Sequence, residues 1–346
     1  GSLVMMAINK DPVKAYKTMF EFGFGRMDSV AIILFKATPL IFSGLAVAVG
    51  FRVGLFNIGV EGQYFIGALF ASIAGFSLKG LPVFIHLPLV LLAGMAGGVV
   101  WSLLPVILKT KRGVHEVITT IMMNYIAYSL VHYFVADVFL DPGQQLAPGL
   151  GSPRVRMPLI ADSARMPTLH GFLALFGVEM PKHVYLNWFL PLGLAAAVAF
   201  YYLIWRTPTG YEIRAVGHNA TAAETAGIKS EKVVLKAFLM SGAVAGLVGL
   251  SNLLAYIGYL DIDFPKGIGF TGIAVALLGK NHPVGIVLAA LLFGFLDRGA
   301  EGVQVFEGIP MDTIVILQGV MILSIVVAAE IMGRYIKRQS RKEGVA

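Results

Sequence analysis

The sequence predicts an all-α, polytopic membrane protein with about nine transmembrane segments, and three observations carry that expectation. Of 346 residues, 57% are hydrophobic and 14% charged, with a mean hydropathy of +0.78. Apolar stretches recur at about the 20-residue length that lets a helix cross a bilayer. The basic residues behind the net charge of +7 gather in short segments beside those stretches. There they set membrane orientation, so nucleic acid is not an expected partner. With no Cys, disulfides, thiolate metal sites and thiol nucleophiles are excluded.

Residues 1–9 are apolar but too short to span, and read as the end of a missing N-terminal helix. At 10–28, Lys10, Lys14, Lys17 and Arg26 interleave with Tyr16, Phe20, Phe22 and Phe24, the pattern of an interfacial segment. Spans are expected at 30–49, broken at Pro39, and then at 56–76, 85–108, 117–135, 188–205 and 237–256. Shorter apolar stretches follow at 267–278 and 284–296, and a last span at 313–332. The turn-rich stretch 137–187 is a hydrophilic insertion with room for a short helix at 169–176. Gly94, Gly97 and Gly98 form a small-residue face for close helix packing.

The segment 51–63, FRVGLFNIGVEGQ, sets Arg52, Asn57, Glu61 and Gln63 among glycines. Charged and amide side chains at membrane depth are costly unless they face protein or a water-filled cavity. Asn57, Glu61, Gln63 and, on the fourth span, Asn124 are therefore candidates for a translocation pathway. The sequence equally admits that Asn57 and Glu61 satisfy backbone or helix-end groups.

The polar stretch 210–232 interrupts two long apolar blocks. Asn219 is placed to cap a two-turn helix over 220–226, Gly227 to end it, and Ser230 to cap the next helix. A helix so short is unstable alone and needs a partner surface. Placing the basic turn 109–112 inside puts 206–236 and the basic tail 334–346 on the same side, and 137–187 outside.

Most chemical motifs fail on context. Gly267, Gly269 and Gly272 match a GxGxxG fingerprint but open a membrane segment, where glycines serve packing or a helix break. Residues 272–281 have the wrong spacing for a phosphate loop, and His115–Glu116 lacks the second histidine of a zinc protease helix. Asp297, Glu301 and Gln304 sit at the outer end of the eighth segment, as entrance or solvated surface.

Thr38-Pro-Leu40, the 51–63 segment, residues 210–228 and 273–285 (IAVALLGKNHPVG) together closely resemble permeases of bacterial ABC importers for nucleosides and simple sugars. The resemblance spans nearly the whole chain and implies a ten-helix permease core in the bacterial cytoplasmic (inner) membrane. It implies three protein partners: a second, paralogous permease subunit, an ATP-binding cassette subunit and an extracytoplasmic substrate-binding lipoprotein. The chain is then not an enzyme and holds no cofactor, ATP and Mg being bound by the ATPase. Arg214, His218, Asn219, Ala223, Glu224 and Gly227 become the expected ATPase-coupling residues. The external insertion favours a nucleoside substrate over a ribose-type sugar. The rival class is an ion-coupled secondary transporter using Glu61.

Overall fold

The computed structural model describes residues 2–7, 10–143, 154–181 and 184–309, with helical positions one or two at a time between 313 and 331. The expected span at 313–332 is only partly covered, and the tail 334–346 lies outside the described residues. The described residues form helices and turns, with two isolated β-bridges, Arg156 to Asp261 and Thr168 to Asn187. In chain order the helices are α1 (Ser2–Ala7), α2 (Pro12–Phe24), α3 (Met27–Arg52), α4 (Val60–Ser77), α5 (Val83–Arg112) and α6 (Glu116–Tyr133). Then come α7 (His170–Ala174), α8 (Phe189–Arg206), α9 (Pro208–His218), α10 (Ala220–Thr225) and α11 (Ser230–Ala245). The last are α12 (Leu250–Asn252), α13 (Ile268–Leu278) and α14 (Pro283–Glu307). Among the described residues five helical stretches are long and apolar enough to cross a membrane: α3, α5, α8, Ser230–Ile257 and α14.

Two compact units divide the chain, 1–33 with 291–346 and 34–290. In the first, Asp11 caps α2 by accepting from the Val13 and Lys14 amides. Glycines let α2 lie close against α14: Gly23 faces the Phe295 ring, Gly299 faces Met19 and Gly302 faces Phe22. The last turn of α14 is held by cations, which suits a helix C-terminus: Lys10 Nζ donates to the Glu307 carbonyl at 2.6 Å and Lys14 Nζ pairs with its carboxylate at 2.9 Å. The expected interfacial segment 10–28 thus has two of its lysines engaged with α14, while Val13, Phe20 and Phe24 stay exposed.

The second unit is built around α4, whose residues from Val60 to Leu69 are all buried. Backbones approach closely there. A Cβ at Gly67 would lie 2.7 Å from Gly246, the residue that follows α11, and one at Gly97 2.7 Å from the Ile66 carbonyl. Gly98 of α5 abuts the Gly242 carbonyl. The expected small-residue face therefore exists, and it seats α5 on both α4 and α11. Without a hydrophobic drive between helices in lipid, such contact is what holds them together.

Several expectations need correction. Helix α3 runs unbroken through Pro39. A proline removes one hydrogen bond, but dense packing carries the helix past it, since Leu40, Ile41 and Phe42 are all buried. The second span starts at Val60 rather than 56, because Gly54 takes φ +79° and the Asn57 side chain accepts the Gly59 amide, a turn that competes with helix. The sixth span loosens between Gly246 and Gly249, then continues through α12 and a wide turn at Leu253–Ile257. Ser230 is not a cap: Lys229 holds that position, and Ser230 Oγ donates to the Ala220 carbonyl at 3.2 Å.

The described part of 137–187 is packed rather than a loose excursion. Met157 N donates to Leu260 O, Ile160 N to Gly258 O, Ala161 N to Gly75 O and Met166 N to Leu254 O. Met157, Ile160 and Ala164 are buried, apolar inward-facing positions inside a polar sequence. His86, fully buried, ties this cap to α5 through Ser163 Oγ at 2.7 Å. At the other end of the unit, Lys111 pairs with Glu231 and Gly217 rests on the Arg52 carbonyl. The basic turn 109–112 and the polar stretch 210–232 therefore share an end.

Gly98→Val puts branched carbon against the Gly242 carbonyl backbone, and overpacking typically costs ~1–3 kcal/mol, more when no side chain can yield. We expect a sharply lowered thermal midpoint or loss of monodisperse protein. Gly171, where a Cβ would meet nothing within 4 Å, should accept Ala without a measurable shift.

Candidate functional site

Glu61 lies in the first turn of α4 and has no exposed surface. Its Oε1 accepts from the Tyr128 hydroxyl at 2.6 Å and the Gly267 amide at 2.6 Å, and its Oε2 from the Gly269 amide at 2.7 Å. Gly267 and Gly269 start α13, so the carboxylate satisfies amides that a helix N-terminus leaves without intrahelical partners. Tyr64 Oη lies 3.2 Å from Oε1 but 2.5 Å from the Pro265 carbonyl, to which its single proton goes. The glycines make the approach feasible. Gly267 takes φ +89°, and a Cβ at Gly269 would fall 2.5–2.7 Å from Glu61 N, Cα and Oε2. Gly272 abuts Ser43, whose hydroxyl donates to the Ile268 carbonyl at 3.0 Å.

The other expected pathway residues belong to the same layer. Asn57 Nδ2 donates to Gln63 Oε1 at 3.1 Å and Ser241 Oγ at 2.9 Å, and the Ser241 hydroxyl in turn donates to the Ala46 carbonyl at 2.6 Å. Asn124 Oδ1 accepts the Gly62 amide at 2.8 Å while its Nδ2 donates to the Ile58 carbonyl at 3.0 Å. Asn57, Glu61, Gln63 and Asn124 are each 2% exposed or less. The structure brings all four together, with their polar atoms engaged by the chain itself. Sequence reasoning missed Tyr128, one helical turn after Asn124 on α6, and did not join the glycines at 267–272 to Glu61.

The coupling candidates form a second group. Asn219 Oδ1 accepts the Ala222 amide at 3.0 Å, capping α10, and Gly227 ends the segment at φ +85°. In α10 only Ala223 is buried; Ala222, Glu224 and Thr225 are exposed, as are His218 and Asn219. Helix α9 is seated at both ends by glycine, Gly210 on the Leu203 and Ile204 carbonyls and Gly217 on the Arg52 carbonyl. A cleft of about 370 Å³ opens beside α10, lined by Gly54, Lys109, His218, Asn219 and Glu231 among others. Behind it, burial pushes the Glu116 carboxyl up, but the Lys109 hydrogen bond and charge outweigh that and hold it below the usual range. Among the described residues no His, Cys, Asp or Glu cluster could hold a metal ion.

Residues 29–326 match the profile of a family described as the permease component of branched-chain amino acid transport systems. The chain belongs to this permease family. It is 37% identical over 345 residues to the guanosine ABC transporter permease protein NupP of Bacillus subtilis, covering 99% of this chain and 93% of that one. It is 34% identical over 335 residues to the glucose ABC transporter permease protein TsgB13 of Haloferax volcanii, covering 97% and 85%. It is 32% identical over 329 residues to the nucleoside ABC transporter permease protein NupB of Lactococcus lactis, covering 94% and 87%. Each of these organisms has a second similar permease protein: NupQ at 29%, NupC at 27% and the putative glucose permease protein TsgC13 at 28% identity. No solved structure matches the chain. As a member of this family the permease is a multi-pass membrane protein and not itself a catalytic enzyme.

Glu61→Gln keeps the side-chain shape but turns an amide group toward a backbone donor. Each buried donor left unsatisfied costs ~1–3 kcal/mol, so the variant should melt several degrees below wild type without any substrate present. A residue that served only to touch the transported molecule would leave that substrate-free midpoint unchanged.

Proposed function

We propose that this permease forms half of the membrane channel of an ATP-driven importer in the bacterial inner membrane, with a nucleoside as substrate. ATP hydrolysis then occurs on a separate ATP-binding cassette subunit, which carries ATP and Mg; no cofactor is held here. A paralogous second permease completes the channel as a heterodimer, a reading supported by the paired relatives in Bacillus and Lactococcus. A substrate-binding lipoprotein docks on the cap formed by the 137–187 insertion, 206–236 is the cytoplasmic coupling segment, and 10–28 lies at the membrane surface.

The observation that carries this reading is α10, a capped helix with one buried residue and an otherwise exposed surface. Helix α9 links it to the rest of the unit, because Gly217 packs directly on the end of α3. A push on α10, transmitted by Arg214, His218, Asn219, Ala223, Glu224 and Gly227, reaches Arg52 and then the turn that carries Asn57. The layer of Asn57, Glu61, Gln63 and Asn124 is the wall beside the path, held rigid by its own hydrogen bonds. Affinity for the substrate then resides mainly in the lipoprotein. A sugar substrate is the second reading, favoured by the similarity to the glucose permease protein. An ion-coupled mechanism is less supported, because both Glu61 oxygens already serve α13.

Ala223→Pro removes the amide that bonds the Asn219 carbonyl at 3.0 Å and breaks α10. We expect the variant to reach the membrane but to lose binding of the ATPase and all uptake of labelled nucleoside by vesicles carrying the complete transporter. Wild-type uptake by that variant, or uptake without ATP, contradicts the proposal.

A further inference from the structure

Two arginines, Arg52 and Arg214, lie at the end of the second unit that carries α10. Arg52, in the last turn of α3, uses Nη2 and Nε on the Asn281 carbonyl at 2.8 and 3.3 Å, and its Cζ lies 4.7 Å from the Trp205 ring centroid. Arg214 on α9 is near enough for its charge to act on Arg52. It lies one turn before Gly217, the residue seated on the Arg52 carbonyl, and therefore on the same helix face. Arg214 Nε is buried and has no hydrogen-bond partner, and among the described residues no carboxylate pairs with this side chain. Like charges so placed are costly unless an anion joins them. The Asn281 side-chain oxygen is also buried without a partner, and Lys280 and Asn281 hold φ near +52° and +53°, an unusual conformation for non-glycine residues that the Arg52 clamp braces.

The surroundings say which anion. Tyr201 stacks on Trp205 at 5.4 Å and Trp205 meets the His282 ring at 5.3 Å, an aromatic group at the end of α8 of the kind that marks a membrane–water interface. Tyr202, Val284 and Leu288 are exposed, as membrane-facing side chains are, and Arg206 and Lys280 are exposed beside them. Basic pockets between helix ends at this level suit phospholipid headgroups. We propose that Arg52 and Arg214 bind the phosphate of an anionic phospholipid, wedged between the ends of α3, α8 and α9 and the turn before α14. The lipid neutralises the pair and braces α9, the helix through which α10 meets the end of α3.

Arg52 holds the Asn281 carbonyl, so its loss can unfold the turn; Arg214→Gln is the informative variant. Purified wild-type permease and Arg214→Gln are placed in nanodiscs of phosphatidylcholine alone or with phosphatidylglycerol. Retained lipids are counted by native mass spectrometry and thermal midpoints are recorded. We expect phosphatidylglycerol to raise the wild-type midpoint and to persist as a bound adduct, and Arg214→Gln to weaken its retention roughly fivefold, the worth of about one basic side chain at an anionic surface. Equal retention and equal shifts in both proteins overturn the proposal. So does an equal rise from inorganic phosphate in phosphatidylcholine discs, which assigns the pair to a free anion. If the purified ATPase subunit alone gives the full Arg214-dependent rise in phosphatidylcholine, the anion is an acidic group of that protein and the lipid site is refuted.

Discussion

One carboxylate sets the constraint on which the second unit depends. Helix α13 is 11 residues long and follows a non-helical stretch, so its first amides have no partners of their own. Glu61, buried in α4, supplies both oxygens to those amides and takes the Tyr128 hydroxyl as well. Once α13 is fixed, Gly272 can sit on Ser43 and α3 can pass close by. The arrangement makes a fractured helix tolerable inside a membrane, where each unsatisfied backbone group costs several kcal/mol in round terms, about the figure for hydrocarbon burial.

The polar layer and the α10 end are mechanically continuous. Asn57 shapes the turn between α3 and α4, and Gly50 and Leu55 close that turn through a backbone bond of 2.9 Å. Arg52, at the end of α3, supports Gly217 of α9 with its carbonyl and the turn before α14 with its guanidinium. A displacement of α9 therefore meets rigid neighbours rather than side chains that can rotate away. Tight glycine packing among α4, α5 and α11 extends that stiffness, since backbones in direct contact have no room to slide without separating.

Much of this was legible in the sequence, for identifiable reasons. Helix α10, with Asn219 as cap and Gly227 as terminator, followed from short-range rules that need no tertiary information. The glycine face at 94–98 was legible because small residues in apolar spans have few other uses. Asn57, Glu61, Gln63 and Asn124 stood out because polar groups at membrane depth must have a role. What each one touches was not legible: Glu61 meets Gly267 and Gly269 more than 200 positions away in the chain, at separations of 206 and 208 residues. Pro39 misled in the other direction, as local propensity lost to packing on the flanks of α3. The buried cap at 154–166 was hidden for a similar reason, its few apolar residues being diluted by turn formers in sequence and gathered only by the fold.

The most direct measurement is amide hydrogen exchange of residues 266–272 in the wild-type permease, resolved to single amides by fragmentation mass spectrometry. First-turn amides ordinarily exchange quickly because they lack intrahelical partners. With Glu61 on Gly267 and Gly269, those two amides should exchange as slowly as the interior of α4. Exchange at the rate of an exposed turn would mean that the carboxylate does not hold α13, and the account of the polar layer would fail with it.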